Sequence, residues 1–339
     1  MGRGFFANKF GDTQPATADQ ADQGGVLSMD DIYYSKQEGG YAGDIEATGG
    51  TVSNYTMDGT YYKVHTFSHP NSDNFVVSAC PQTATAEFFV VAGGGCGGNG
   101  STHPTSTDAG GGAGGLRTNI FAGPENPMRA PQSASAGITT ITDSFPISAQ
   151  TYPITVGGGG AGGTGFHQDV KGEGSFISSP TVTGIVTAMG GGGGAYCCGQ
   201  PGDHGGCGGG ATGGGSPPYP GGEGKDAIDP LSPKWQGYDG GSATSQPNAG
   251  GGGGAGSAGN TPGAGEGGYG INSTVLGGPT SPAIYCSGGD RTNTSTPTPE
   301  RSPTNIGAGG HAGARSPSTV PSGSGNKGII IIRYPVGGP

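Results

Sequence analysis

"GIIIIRYP", residues 328–335, is the one place in this 339-residue chain where four large aliphatic side chains stand together, and it lies close to the C-terminal end. A run of branched apolar residues bounded by glycine and proline reads as a strand. A second stretch of the same character, "EFFVVAGGGCGG", holds residues 88–92 and enters polyglycine directly. Pairing the C-terminal strand beside 88–92 would close a sheet and clamp everything between them. Alternation along the strand puts two of Ile329, Ile330, Ile331 and Ile332 on each face.

What lies between is dominated by glycine. Gly accounts for 80 residues and Pro for 27, so disorder and collagen are the first alternatives. Collagen needs Gly at every third position, and "GGGGAGGTG" breaks that register within a few residues. Disordered chains combine low hydrophobicity with high charge, whereas only 11% of residues here are charged. With 30% hydrophobic residues the chain cannot fill two conventional cores, so something besides apolar burial holds part of it.

Short β-branched or aromatic runs lead repeatedly into glycine, as in "TYPITVGGGGAGG" and "GIVTAMGGGGGAY", with weaker instances in "STVLGG" and "AIYCSGG". Such runs are expected to form extended helices of the polyproline II type, with three residues per turn and outward-pointing backbone groups. Without Cβ atoms, neighbouring helices approach closely enough to bond to one another. The expected fold class is therefore all-β with polyglycine II (PPII-type) helices: short strands feed packed glycine-rich helices, closed by a C-terminal strand. Gly157, Gly158, Gly159 and Gly160, Gly190, Gly191, Gly192, Gly193 and Gly194, and Gly251, Gly252 and Gly253 are its structural glycines, with the three runs expected side by side. Upstream, "TYYKVHTFSHP" alternates Tyr62, Val64 and Thr66 against Lys63, His65 and Phe67, and with "DNFVVSA" it suggests a hairpin. Residues 1–50 read differently, and Ser28 could cap a short helix there or Ile32–Tyr34 form a strand. The organisation is an N-terminal attachment segment, 1–50, and a β/glycine-rich domain, 51–339.

Composition excludes several functions. A net charge of −10 with scattered basic residues gives no surface to neutralise a phosphate backbone, so no nucleic-acid partner is expected. No apolar run reaches the eighteen or so residues of a membrane span, so the protein is not expected to be membrane-embedded. No secretory h-region is evident at the N-terminus. The Gly-x-Gly-x-x-Gly match in "VVAGGGCGGNG" is followed by "STHPTSTDAGGG", which cannot supply the helix a dinucleotide site requires, so no cofactor is expected. In "CCGQPGDHGGC", Cys197, Cys198, His204 and Cys207 could supply zinc ligands, but their spacing is not that of a finger or ribbon. Gap-filling thiols are the first reading, a disulfide the second, and no metal site is assigned. No catalytic residues are defined, and the protein is not expected to be an enzyme.

The order of "FFVVAGGGCGG", "GGAGGLRT", "YPITVGGGGAGG", "GGGGG" and "GSGNKGIIIIRYP" resembles the glycine-rich domain of bacteriophage tail-fibre and adhesin proteins, over roughly residues 60–335. The resemblance implies a virion surface protein, assembled in the host cytoplasm, whose glycine-rich core displays variable loops to a host receptor such as a polysaccharide or outer-membrane protein. Residues 1–50 would then attach it to other virion proteins, and a homo-oligomer is expected. A capsid or tail decoration subunit binding only virion proteins is the alternative, and a polysaccharide-degrading tail spike the second. For receptor binding, the loop from Ser216 to Asp239 brings Tyr219, Trp235 and Tyr238 together with Lys225, Asp226, Asp229 and Lys234, since aromatic side chains give large contact area at low entropic cost. A lid over the glycines is the other reading of Trp235.

Overall fold

The computed structural model describes residues 45–57, 59–70, 73–81, 84–99, 108–120, 145–163, 170–180, 186–197, 199–214, 218–224, 236–244, 248–260, 265–273, 283–291, 302, 304–313 and 321–336. These form β1 (Glu46–Thr48), β2 (Thr51–Met57), β3 (Thr60–Ser68), β4 (Asp73–Ala79), β5 (Thr85–Val91), β6 (Leu116–Thr118), β7 (Phe145–Pro146), β8 (Thr151–Thr155), β9 (Ser175–Ile177), β10 (Val186–Ala188), β11 (Ile271–Ser273), β12 (Ala283–Tyr285) and β13 (Ile329–Pro335). The fold is all-β, and every strand pairing is antiparallel. Among the described residues there is no helix.

Two sheets stack face to face. One has the order β1-β4-β8-β9-β10, the other β2-β3-β13-β5-β6 with β7 as a sixth strand paired to β5. Their shared core contains Phe67, Phe75, Phe88, Val90, Tyr152, Ile154, Ile177, Ile330 and Ile332. The second face of the six-stranded sheet is also covered: Val64, Phe89, Val91, Leu116, Ile329 and Ile331 pack against Ile271, Tyr285, Ala113, Cys207 and Cys286. A strand buried on both faces must be apolar at every position, which is why β5 and β13 carry unbroken apolar runs rather than an alternation. The four isoleucines divide two and two, Ile330 and Ile332 into one core and Ile329 and Ile331 into the other.

The C-terminal strand does pair with β5, Ile329 opposite Val91 and Ile332 opposite Phe88. It also pairs along its whole length with β3, so it fills the middle of the sheet rather than capping a margin. The expected hairpin of "TYYKVHTFSHP" with "DNFVVSA" does not form. Both flanks of β3 are occupied, by β2 and β13, and β4 joins the other sheet between β1 and β8. The hairpin is instead β2–β3, turning at Gly59, whose φ of 80° suits a residue without a Cβ.

One sequence signal for the β5–β13 register went unread. Arg333 follows the isoleucines and Glu87 precedes "FFVV", and the antiparallel register sets them opposite each other. Arg333 is buried, its Nε hydrogen-bonded to Glu87 Oε2, one Nη donating to the Tyr55 hydroxyl, and its guanidinium 4.6 Å from the Tyr62 ring centroid. A buried cation needs partners of this kind, so the ion pair favours one register over its neighbours.

Candidate functional site: the far end of the glycine lattice

Three strands of the sandwich and β12, which forms a separate two-stranded sheet with β11, hand the chain into glycine-rich runs, β5 into 92–98, β8 into 156–163, β10 into 189–195 and β12 into 286–291. Four receive it back: 108–115 enters β6, 170–174 enters β9, 265–270 enters β11 and 321–328 enters β13. Between these runs the backbone bonds to itself with a period of three. Gly93 and Cys96 donate to Glu173 and Val170; Gly94 and Gly97 to Asn326 and Gly323; Gly95 and Gly98 to Gly112 and Ala109. Successive N–H groups thus point to three different neighbours.

The run 109–115 sits at the centre. Its N–H groups reach 189–195 (Gly112 to Gly192 O, 2.8 Å), 250–253 (Ala113 to Gly253 O, 3.0 Å) and 307–310 (Gly111 to Gly310 O, 2.9 Å). Its carbonyls accept from Gly95, from Gly210 and Cys207, and from Gly289. Side chains have no room in such an arrangement. A Cβ on Gly112 would stand 2.2 Å from Cys207 O, and one on Gly192 2.1 Å from Asp203 O.

The runs 157–160, 190–194 and 250–254 belong to this one network but do not bond to each other. The runs 92–98 and 170–174 intervene between the first two, and 109–115 and 207–211 between the second and third. All glycine runs look alike to a sequence reader, so neighbour order is invisible until strand order is known.

Buried thiols fill gaps beside the runs. Cys207 and Cys286 are fully buried free thiols, Cys96 is fully buried, and Cys80 is free and half-buried. Burial pushes the Cys207 thiol up to about 12, and that of Cys286 well above its ordinary range. Cys197 is disulfide-bonded, while Cys198 lies outside the described residues. The segment that sequence suggested as one cluster is therefore divided between a disulfide, a core thiol and the exposed His204, whose Nδ1 accepts from Glu223 N–H at 2.8 Å. Among the described residues no group of three or more His, Cys, Asp or Glu side chains could hold a metal ion.

Following each run away from its strand leads to the end opposite the sandwich. Connections leave from there after residues 99, 163, 213, 244, 260 and 313, and the chain returns near 108, 170, 218, 248, 265 and 321. Tyr219 lies at this far end, half-buried and bonded in both directions to Ala243. Tyr238 does not join it. Its carbonyl accepts from Gly208 and its N–H donates to Gly254, next to Cys207 at the sandwich end. Five residues of chain separate Tyr238 from Ala243, about 15 Å at the rise of extended backbone. Trp235, Lys225, Asp226, Asp229 and Lys234 lie outside the described residues.

A family model described as a glycine-rich domain matches residues 70–335, the part of the chain running from the end of β3 through β13. The chain belongs to the glycine-rich domain family. The match takes in β4 to β13 and the runs between them, and begins after β1, β2 and β3. No curated protein matches the chain. No helix among the described residues of this family member is long and apolar enough to cross a membrane.

Proposed function

We propose that this glycine-rich domain protein is a bacteriophage virion protein of the tail-fibre or adhesin kind, whose glycine runs are polyglycine II-type helices presenting loops to a host receptor. The observation that carries the reading is the polarity of the lattice. One end is tied to a side-chain core, and the loops joining outgoing to incoming runs emerge at the other. The period of three in the bonding partners is what a helix of three residues per turn requires, and it pairs most of the backbone groups of the described runs with one another. Chemical variety is then free to vary at the loops without disturbing the core. Residues 1–50, of which 1–44 lie outside the described residues, would attach the protein to the particle, and the receptor would be a surface polysaccharide or outer-membrane protein.

The test is adsorption of particles carrying Tyr219→Ala, at the far end of the lattice. An aromatic anchor commonly costs about 2 kcal/mol on truncation, roughly a thirtyfold loss of affinity. Slower adsorption with normal particle number supports the proposal. Normal adsorption by this variant, or failure of particles to assemble, would transfer the protein to the structural subunits that bind only other virion proteins.

A further inference from the structure

Where the run 189–195 reaches the far end of the lattice, the chain reverses through "YCCGQP", residues 196–201, and returns beside it, Asp203 N–H bonding to Gly193 O at 3.2 Å and Gly206 N–H to Gly190 O at 2.8 Å. The reversal uses left-handed backbone twice. Gly199 has a φ of 73°, which glycine adopts freely, but Cys197 has a φ of 49°, which a residue with a Cβ seldom does. Hydrogen bonds hold part of this turn. Thr212, on the run beside it, donates through Oγ1 to Cys197 O at 2.8 Å, accepts there from Gln200 N–H at 3.1 Å, and donates its own N–H to Gln200 O at 2.9 Å. Asp108 Oδ1 accepts from Cys197 N–H at 3.4 Å.

Cys197 is also held covalently. The chain has six cysteines; among the described ones Cys80, Cys96, Cys207 and Cys286 carry no disulfide, whereas Cys197 is disulfide-bonded. The sulfur that remains is that of Cys198. We infer that Cys197 and Cys198 are bonded to each other, and that this bond is a redox staple for the far-end turn and for the seat of Tyr219. A disulfide between chain neighbours closes a small ring through their own peptide bond, so it ties no two runs together and restricts only the turn that contains it. The Tyr219 ring covers the glycine that follows. A Cβ on Gly199 would stand 2.7 Å from Tyr219 Cε2 and 2.9 Å from its hydroxyl oxygen, so the ring rests on backbone whose path the disulfide sets.

Cys197 is half-buried, whereas Cys96, Cys207 and Cys286 are fully buried, so small reagents reach this bond without opening the lattice. Its formation uses a low-molecular-weight disulfide. One cysteine thiolate displaces a thiol from it, and the neighbouring thiolate attacks the mixed disulfide and releases the second thiol. The two cysteine sulfurs are oxidised, the reagent is reduced to two thiols that carry away the two protons, and an excess of that thiol runs the exchange backwards. None of this depends on what Tyr219 binds.

Alkylation of the full chain, denatured but unreduced and read by mass spectrometry, should modify Cys80, Cys96, Cys207 and Cys286 and neither Cys197 nor Cys198; prior reduction should add both. Amide exchange then reads the turn. In the folded chain, reduction with a phosphine, or Cys197→Ser together with Cys198→Ser, should speed exchange at the Gln200 and Thr212 amides at least about tenfold and leave those of Gly112 and Gly192 as they were. Should the double variant fail to fold, the reduced native chain gives the same comparison. Alkylation of Cys197 or Cys198 before reduction overturns the inference, as does a disulfide from Cys197 to any other cysteine. So does exchange at Gln200 and Thr212 that ignores reduction, or that rises equally at Gly192.

Discussion

The sandwich and the glycine lattice solve the same problem, burying backbone without leaving its polar groups unpaired, by opposite means. In the sandwich, strands pair within sheets and side chains such as Phe75, Tyr152 and Ile332 supply the cohesion between them. In the lattice every run is flanked in three or more directions by other runs, and cohesion comes from the N–H and C=O groups themselves. Ordering a residue costs about 1–2 kcal/mol, more for glycine, while a hydrogen bond returns about 0.5–1.5 kcal/mol net. A glycine array at one donated bond per residue is therefore not self-supporting. The strands that hold both ends of each run remove most of the freedom it would otherwise lose, so the lattice depends on the sandwich.

The largest expected effect tests that dependence. Deleting 328–339 removes β13 from between β3 and β5, and with it four isoleucines worth about 1.5–3 kcal/mol each on burial. That loss is comparable to the whole stability of an ordinary domain. The truncated chain should show no cooperative melt and should be digested by protease along its length. A soluble, protease-resistant truncation would mean that the lattice stands without the sheet.

Next come glycines judged by what surrounds them. Gly192→Val drives a Cβ into the backbone of Asp203 and should cost several kcal/mol, a fall in melting temperature of about 10 °C. Gly158→Val places its Cβ nearest to side-chain atoms of His69 and Glu173, at 3.1 and 3.2 Å, and not to backbone. It should cost less than about 1 kcal/mol. Equal melts for the two variants would show that the runs yield and do not interlock.

A single methylene in the sandwich gives the scale for side-chain packing. Ile332→Val should lower stability by about 1 kcal/mol in denaturant titration, far below Gly192→Val although both residues are buried. Thr244→Val, on an exposed residue at the far end, should stay within about 0.5 kcal/mol of the native chain.

A pH dependence is expected that is confined to the sandwich. His65 is buried, and its Nδ1–H donates to Gly49 O at 2.8 Å, so its Nε2 accepts from the Tyr334 hydroxyl at 3.1 Å. Burial holds the imidazole below its ordinary value of 6.5 and pushes the Tyr334 phenol up to about 12, keeping that proton available to donate. A lowered histidine value means that the unfolded chain takes up the proton first. Stability is therefore full above about pH 6.5 and declines as the pH falls below it, with a slope of at most about 1.4 kcal/mol per pH unit. Melts between pH 7.5 and about 5 should show that slope in the native chain and a flatter one in His65→Gln.

The strands around the glycines were legible because their code is local. "EFFVV" and "IIIIRYP" announce themselves by branched and aromatic side chains, their alternation gives two isoleucines to each face, and Glu87 opposite Arg333 was available to set the register. The hairpin expected of "TYYKVHTFSHP" with "DNFVVSA" does not form because β3 and β4 belong to different sheets. Sequence showed the turn but not that both flanks of β3 were already taken.

Sequence by itself determined that this protein is all-β, that its strands open into glycine, and that a C-terminal strand returns to the one at 85–91. Only the tertiary structure decided which run lies beside which, that 109–115 is central, and that Tyr219 and Tyr238 stand at different levels. The reason is physical. A run of glycines carries no side chain by which one neighbour differs from another, so its place is assigned by the strands at its ends and the loops between them.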